Sequence, residues 1–270
     1  MTELQRMLKG EAEQGRLDLA ATEIARLEYP DLADAEVVDQ LDAIAADVPA
    51  FDRGDGHATV DALNTVLFER WGFHGNDTEY YDARNSCLNE VIARRTGIPI
   101  TLSVIYMEVA RRLGQPVFGI GLPGHFVVEY DSGAYSAFLD PFHKGERLTP
   151  AECERLVSKR TGAVVEPGSL SFRKATKQAI VGRMLQNLKG IYAGSQQWAK
   201  VLRICDLLLE ADPRSAAELR VRGAANLHLK RYSAGKADLE EYLRLAPGVP
   251  EAAVLREQIA NLAKWSAQWN

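Results

Sequence analysis

The chain has 270 residues and a formal net charge of -5, with 46% hydrophobic and 26% charged residues. That composition is typical of a soluble globular protein of one large or two ordinary domains, and the acidic balance argues against nucleic acid or an anionic membrane as a partner. Three scattered cysteines, a charged start and no apolar run long enough for a membrane span predict reduced thiols and a cytoplasmic location.

Apolar residues at helical spacing over about the first 80 residues predict short amphipathic helices, interrupted near Pro30 and Pro49. The loop FDRGDGHATVD resembles a calcium-binding loop, but the twelfth position from Asp52 is Leu63, where such a loop needs its closing Glu. We therefore interpret the acids of this loop, Asp52, Asp55 and Asp61, as turn and cap residues. The next helix is ATVDALNTVLFERWGF, which Gly72 is suited to end.

Two further helices follow, and the second is the most apolar segment of the chain. Asn85 or Ser86 is placed to cap the first of them, which ends before Gly97. The second runs from Pro99 to about residue 113 and is apolar almost all round, which is typical of a buried helix. We predict that it is the central helix of an α+β domain.

Three strands come next, at residues 117–121, 125–130 and 135–140. The last two are joined by the turn DSGA. If Tyr130 pairs with Tyr135, His125 lies directly opposite Asp140 on one face of the hairpin. A slip of one residue would place the two side chains on opposite faces, and the sequence favours the first register.

The capping box Thr149-Pro150-Ala151-Glu152 predicts a helix that reaches about Arg160, and residues 161–174 have the composition of a connector. A repeat follows, because LLLEADP ends at Pro213 and YLRLAP ends 34 residues later at Pro247. This period predicts about five helices, arranged as two hairpins and a closing helix from Glu251 to Trp265. Trp265 and Trp269 are interpreted as packing residues.

Cys87, His125 and Asp140 are the ingredients of a Cys-His-Asp site. In such a site a thiolate attacks, an imidazole takes its proton, and a carboxylate fixes the tautomer of the imidazole. Cys87 is predicted in the first turn of a helix, where unpaired amides favour a thiolate. The alternatives are a small buried apolar role for Cys87 and a hydrogen-bonded pair that pins a hairpin for His125 and Asp140.

Five other polar residues are candidates to line the same cleft: Asn85, Asn89, Thr101, Ser103 and His143. The remaining histidines, His57, His74 and His228, have no metal-ligand spacing to each other or to a cysteine, so neither a metal nor a cofactor is predicted. Cys153 and Cys205 fall on predicted helices without an acid–base partner and are interpreted as core residues.

The segment GIPITLSVIYMEVARRLGQPVFGIGLPGHFVVEY, followed by FLDPF, resembles the SirB-type branch of the transglutaminase-like superfamily over about residues 30 to 150. Bacterial members of that branch often carry tetratricopeptide repeats after the core. The resemblance implies a papain-like core, in which a Cys starts the central helix, a His opens the next strand and an Asp precedes proline on the following one. His125 and Asp140 match two of these positions.

The cysteine position does not match. Counting back about four turns from the end of the central helix reaches Pro99 and its neighbours. No cysteine occurs there, and Thr101 and Ser103 are the only hydroxyl residues. Cys87 lies one helix earlier.

The expected fold is therefore α+β: a papain/transglutaminase-like core with a central helix against a small antiparallel sheet and a helical N-terminal region, followed by an all-α tetratricopeptide-type module. The expected limits are residues 1–160 for the transglutaminase-like domain, 161–174 for a connector and 175–270 for the repeats.

The first functional hypothesis is a non-catalytic or weakly active interaction and regulatory protein, which binds a protein or peptide through its repeats. The rival is a cysteine hydrolase or acyltransferase with Cys87 as nucleophile, His125 as general base and Asp140 as its orienting group. A third reading is a scaffold whose cleft has no ligand.

Overall fold

The computed structural model describes residues 1–268, and it describes the side chains of residues 1–261. Its residues form two compact units, Met1–Met184 and a second that begins at Leu185. The predicted domain limits at residues 160 and 174 stay predictions. The packing role predicted for Trp265 and Trp269 lies outside the described side chains.

Helices form the first part of the first unit: α1 Glu3–Leu8, α2 Leu17–Ala25, α3 Asp34–Ala46 and α4 Gly56–Asn64, which continues as a π-helical turn, Thr65–Arg70. The breaks near Pro30 and Pro49 fall between helices, as predicted. The carboxylate of Asp55 accepts hydrogen bonds from the backbone N–H groups of His57 and Ala58 at 2.8 and 3.2 Å. Asp55 is thus the cap residue that the sequence predicts.

Helix α5, Leu88–Arg94, begins later than predicted, because a short 3₁₀ turn, Ala83–Ser86, comes before it. Its N-cap is Cys87 rather than Asn85 or Ser86, so Cys87 precedes the first turn instead of lying within it. The reason is local: the side-chain oxygen of Asn85, which would have to accept N–H groups of α5, accepts instead from Nδ2 of Asn76 and Nη2 of Arg94 at 3.2 and 3.0 Å. The amide nitrogen of Asn85 donates to the carbonyl oxygens of Glu79 and Tyr80 at 2.7 and 3.3 Å.

Helix α6, Pro99–Arg112, is buried along nearly its whole length, as predicted for the central helix. The hydroxyl of Thr101 accepts a hydrogen bond from the backbone N–H of Ile98 at 3.2 Å and donates to the carbonyl of Asn85 at 2.8 Å. These two bonds fix the start of α6 against the 3₁₀ turn before α5.

The strands form two sheets. A parallel pair joins β1 His74–Gly75 to β2 Thr96–Gly97, and an antiparallel sheet has the order β3 Val117–Leu122, β4 His125–Asp131, β5 Ser136–Asp140 and β6 Glu146–Leu148. Helix α6 packs on β3 and β4. The predicted central helix against a small antiparallel sheet is confirmed.

The register of the β4–β5 hairpin differs from the prediction by two residues. Tyr130 pairs with Ala137 rather than with Tyr135. Because side chains alternate along a strand, a shift of two residues leaves every side chain on its original face. His125 and Asp140 therefore share a face, as predicted, but they are diagonal neighbours rather than directly opposite.

The turn of this hairpin explains the shift. The backbone N–H of Ser132 donates to the carbonyl of Tyr135 at 3.1 Å, so the turn occupies residues 132–135 instead of 131–134. The carboxylate of Asp131 accepts the backbone N–H of Gly133 at 2.9 Å. This Asx-type contact keeps Asp131 at the end of β4 and moves the turn one residue along the chain.

Helix α7, Pro150–Thr161, starts at the predicted capping box of Thr149 and Glu152. Its residues Cys153 and Val157 form an apolar cluster with side chains of β3 and β4 that include Val127. Since alternate residues of a strand share a face, His125 lies on the face of β4 that packs against α7.

Five helices follow in the described part of the chain: α8 Lys177–Gly194, α9 Trp198–Ala211, α10 Ala216–His228, α11 Tyr232–Leu245 and α12 Ala252–Gln268. Their number agrees with the prediction from the repeat. A Cβ atom at Gly223 would lie 2.8 Å from Leu239, so α10 and α11 approach closely because Gly223 has no side chain. Within the described residues, no helix is long and apolar enough to cross a membrane.

Candidate His-Asp site

A buried imidazole–carboxylate pair joins β4 to β5. His125 opens β4 and Asp140 ends β5, and Nε2 of His125 lies 2.8 Å from Oδ2 of Asp140. Both side chains are buried. Because an ionised carboxylate only accepts hydrogen bonds, Nε2 carries the proton and Nδ1 carries the lone pair of the neutral ring.

Asp140 is held in its ionised form by its neighbours. Its Oδ2 also lies 2.7 Å from Nδ1 of His143, and its Oδ1 accepts the backbone N–H of Phe142 at 3.0 Å. Burial by itself would raise the pKa of Asp140, but hydrogen bonds from His125 and His143 outweigh it and hold the pKa below its ordinary value. The bond to Asp140 in turn raises the pKa of His143, against the effects of burial and of Arg160.

The other ring nitrogen of His125 has no hydrogen-bond partner, although it is buried. In a Cys-His-Asp site this nitrogen would take the proton of the thiol. The thiol of Cys87 instead lies 3.6 Å from the carbonyl oxygen of Ala83, to which it donates. The structure therefore brings His125 and Asp140 together and does not place Cys87 in hydrogen-bond contact with His125.

Cys87 is fully buried at the N-cap of α5. Burial, a hydrogen bond to Glu90 and, to a smaller extent, the nearby Cys87 raise the pKa of Tyr29 to about 12. Cys87 is thus close enough to Tyr29 to affect it electrostatically, and Tyr29 belongs to the helical N-terminal region.

The first turn of α6 begins at Pro99 and contains no sulfur. The two other thiols of the chain have raised pKa values. Burial and the charge of Asp140 raise the pKa of Cys153 to about 11, and burial with the charge of Glu218 raises the pKa of Cys205 to about 12. A raised pKa lowers the thiolate fraction, which is the reverse of what a nucleophile needs.

Among the five residues predicted to line the cleft, His143 contacts the pair directly through Asp140, and its ring is 39% exposed. Asn85 and Thr101 bond to each other and to the backbone, as described above. Asn89 Oδ1 and Ser103 Oγ are buried without a hydrogen-bond partner. The predicted cleft-lining role of these four residues stays a prediction.

The atoms His125 Nε2, Asp140 Oδ2 and His143 Nδ1 lie within 4.8 Å of one another, and two imidazoles with a carboxylate are a possible ligand set for a transition metal. The two N–O distances are those of charge-assisted hydrogen bonds. Both hydrogen bonds end on the same oxygen, Oδ2 of Asp140. A metal ion bound to all three atoms would have to displace the protons on His125 Nε2 and His143 Nδ1. Hydrogen bonding by itself accounts for the arrangement.

Three residues next to the pair were missed by sequence reasoning: Tyr80, Arg160 and Arg183. They surround Phe142 and His125 from three separate parts of the chain, namely the segment after β1, the end of α7 and helix α8. Their sequence separation gives no spacing signal. Only the fold brings them together.

These features define the class of protein. A central helix against an antiparallel sheet, with a His-Asp pair on its strands and helical hairpins after it, is the transglutaminase-like architecture joined to tetratricopeptide repeats. A family model described as transglutaminase-like superfamily matches residues 35–186, and a tetratricopeptide repeat model matches residues 188–260. The chain belongs to the transglutaminase-like superfamily, and both the predicted fold class and the predicted SirB-type resemblance are confirmed.

Two relatives found by sequence support this assignment. The UPF0162 protein of Xylella fastidiosa (strain 9a5c) is 37% identical over 248 residues, which cover 89% of this chain and 87% of the relative. F-box only protein 21 of Mus musculus is 35% identical over 179 residues, which cover 63% of this chain and 28% of that protein. Among solved structures, menin is similar with a TM-score of 0.44 and 9% identity, over 91% of this chain and 71% of menin.

Proposed function

We propose that the transglutaminase-like domain of this chain binds a polypeptide without cysteine-based catalysis, and that its repeats provide a second protein-binding surface. One observation carries the proposal: Nδ1 of His125, which would receive the thiol proton in an enzyme of this class, makes no hydrogen bond. The first turn of α6, where the nucleophile would lie, begins with Pro99. The oriented imidazole and the absence of a sulfur in the first turn of α6 support this proposal.

An oriented imidazole without a nucleophile is suited to recognition. Asp140 fixes the tautomer of His125, so Nδ1 presents a lone pair in a fixed direction. A buried acceptor without a donor costs about 1–3 kcal/mol. An N–H or O–H group of a bound chain would supply the missing donor and recover that free energy.

The tetratricopeptide repeats at residues 188–260 also support a protein-binding role. Tetratricopeptide repeats stack helix hairpins into surfaces that generally bind protein segments. The specific partner of these repeats is part of the proposal.

Thiol labelling tests the proposal. The native protein and His125→Ala are treated with iodoacetamide between about pH 5 and 8, and the labelled cysteines are identified by mass spectrometry. We expect slow labelling of Cys87 in both proteins, with the same rate, because a buried thiol that makes no hydrogen bond to His125 gains nothing from the imidazole. Labelling in concentrated urea, where all three thiols react, is the control.

The rival reading makes the opposite prediction. A cysteine hydrolase or acyltransferase that uses Cys87 would show fast labelling at about pH 5–6 and would lose it in His125→Ala. That result would overturn the proposal. Cys87→Ser separates the two readings again, because loss of a buried structural thiol lowers the free energy of unfolding.

A further inference from the structure

Aromatic and cationic side chains surround Phe142 next to the His-Asp pair. The ring centroid of Phe142 lies 6.2 Å from that of Tyr80 and 5.2 Å from that of His143, and Cζ of Arg160 lies 5.2 Å from it. The ring of His125 lies 5.9 Å away. We call this group the Phe142 cluster; its members are Tyr80, Phe142, His143, Arg160 and Arg183.

Arg183 extends the cluster along the start of β4. Its Nη2 donates to the carbonyl oxygen of His125 at 2.7 Å, and its Nη1 donates to that of Leu122 at 3.0 Å. Arg183 is half-buried, and among the described residues no carboxylate pairs with it. Burial lowers the pKa of Arg183, and the only charge effect that opposes this comes from Tyr80. A partly buried guanidinium that has only neutral acceptors is suited to an anion supplied from outside.

Arg160 is also incompletely neutralised. Its only ion pair within the described part of the chain is a long one, 3.9 Å to Asp77, whose side chain is 69% exposed. Arg160 and Arg183 both lower the pKa of Tyr80 through their charge, so both guanidinium groups lie near its hydroxyl. The charge of Arg160 lowers the pKa of His143, and the charge of Asp77 raises it.

The charges of the region leave room for one negative group. Arg160, Arg183 and protonated His143 are three cationic groups, whereas the carboxylates among them are two, Asp77 and Asp140. One positive charge is left when His143 is protonated. A singly charged carboxylate balances this surplus, while a doubly charged phosphate would exceed it.

We propose that the Phe142 cluster is the binding site for a carboxylate of a polypeptide ligand, bound by the guanidinium groups of Arg160 and Arg183 near the hydroxyl of Tyr80. The proposal rests on the proposed function of the domain as a polypeptide-binding module. The carboxylate comes either from the C-terminus of the ligand or from an Asp or Glu side chain. A guanidinium fork matches both, because it donates two parallel N–H bonds to a planar carboxylate.

Imidazole NMR resonances of the full-length protein test the site, since His143 lies within the cluster and His143→Gln assigns its signals. The probes are N-acetyl-alanyl-alanine, its C-terminal amide, N-acetyl-aspartic acid amide and inorganic phosphate, at an ionic strength held constant with sodium chloride. We expect a saturable shift of the His143 signals with at least one of the two carboxylate probes and none with the amide of N-acetyl-alanyl-alanine. A response to N-acetyl-alanyl-alanine assigns a chain terminus, and a response to N-acetyl-aspartic acid amide assigns an acidic side chain.

Two charge-matched variants sharpen the test. Arg160→Gln should weaken carboxylate binding by about tenfold, the effect of removing one charge-assisted pair. Arg155→Gln removes the same charge from the same helix, at a side chain that is 68% exposed, and should leave the affinity within about twofold. Arg183→Lys keeps the charge and removes the planar fork, so it should also weaken binding.

Several results would overturn the site: no saturable shift with either carboxylate probe, equal affinity for acid and amide, a response to phosphate only, or equal weakening in Arg160→Gln and Arg155→Gln. The thiol-labelling test needs no ligand, so the two proposals fail separately. Fast, His125-dependent labelling together with carboxylate binding would overturn the non-catalytic function and keep the site. Slow labelling without carboxylate binding would support the non-catalytic function and overturn the carboxylate site.

Discussion

Two buried polar clusters of the first unit differ in how completely they are paired. At the C-terminal end of α6, the guanidinium of Arg112 lies 2.7 Å from Asp18, 2.9 Å from Glu108 and 2.5 Å from Asp42. Asp18 and Glu108 are almost fully buried, and burial together with the charge of Asp18 raises the pKa of Glu108. Every charge there has a partner within the chain.

The cluster of His125, Asp140 and His143 is paired only in part. Asp140 takes bonds from both rings, but Nδ1 of His125 is buried and has none. Buried polar atoms of native proteins are nearly always paired, so the complete cluster indicates a structural role, and the unpaired atom of the other cluster supports the binding role proposed for it. The predictions that follow test this distinction.

The largest expected effect is at the complete cluster. Arg112→Met leaves Asp18 paired with Arg16 and Glu108 paired with Arg111, whose side chains are 40% and 42% exposed, and removes the guanidinium that is itself nearly buried. We expect the free energy of unfolding to fall by about 3 kcal/mol or more, measured by urea denaturation. Arg6→Met is the control, because Arg6 is 49% exposed and pairs with Glu3 on the surface, and it should cost less than about 1 kcal/mol. Similar losses in the two variants would mean that the Arg112 cluster is not a structural centre.

A smaller loss is expected at the incomplete cluster. Asp140→Ala removes the acceptor of His125 and leaves both of its ring nitrogens unpaired, so the free energy of unfolding should fall by about 2–3 kcal/mol. The control is Asp61→Ala, where the carboxylate is 64% exposed and pairs with Arg147 at the surface. That change should have a much smaller effect, because exposed ion pairs contribute little. A loss at Asp140 no greater than at Asp61 would contradict the role of Asp140 in orienting His125.

The smallest effect concerns pH and His143. Its pKa is raised in the folded protein, so its bond to Asp140 stabilises the fold fully below the ordinary histidine pKa of about 6.5 and less as pH rises through the raised value. The free energy of unfolding of His143→Gln should therefore fall below that of the native protein at about pH 5.5 and approach it at about pH 8.5. Because the ring is 39% exposed, solvent screening keeps the difference below about 1 kcal/mol.

An Asp140→Asn background supplies the control for this pH dependence. Without the carboxylate charge, burial and Arg160 lower the pKa of His143, so His143→Gln should no longer destabilise the fold more at about pH 5.5 than at about pH 8.5. A larger loss at about pH 5.5 that persists in this background would assign the effect to another group. The pH dependence expected from Asp140 has the opposite sign. Because its pKa is lowered in the folded protein, Asp140 stabilises the fold above the ordinary aspartate pKa, and this stabilisation is lost as pH falls through the lowered pKa.

Local sequence signals predicted helices and helix starts correctly where a few neighbouring residues determine the local structure. The capping box at Thr149, the proline at the start of α6 and the 34-residue repeat all act over short distances, and the structure agrees with them. Side-chain alternation likewise placed His125 and Asp140 on one face. This prediction holds despite a register error of two residues, because side chains along a strand return to the same face every two residues.

Tertiary structure decided the rest. The turn of the β4–β5 hairpin and the 3₁₀ turn before α5 are set by the side-chain hydrogen bonds of Asp131 and Asn85, which compete with the patterns that sequence reasoning uses. Whether Cys87 meets His125, and the placement of Arg160 at Phe142 and of Arg183 at His125, depend on how separate elements pack. The sequence by itself determined which elements form and which face each side chain takes, because those are short-range properties; only packing between distant segments decided which of these side chains meet.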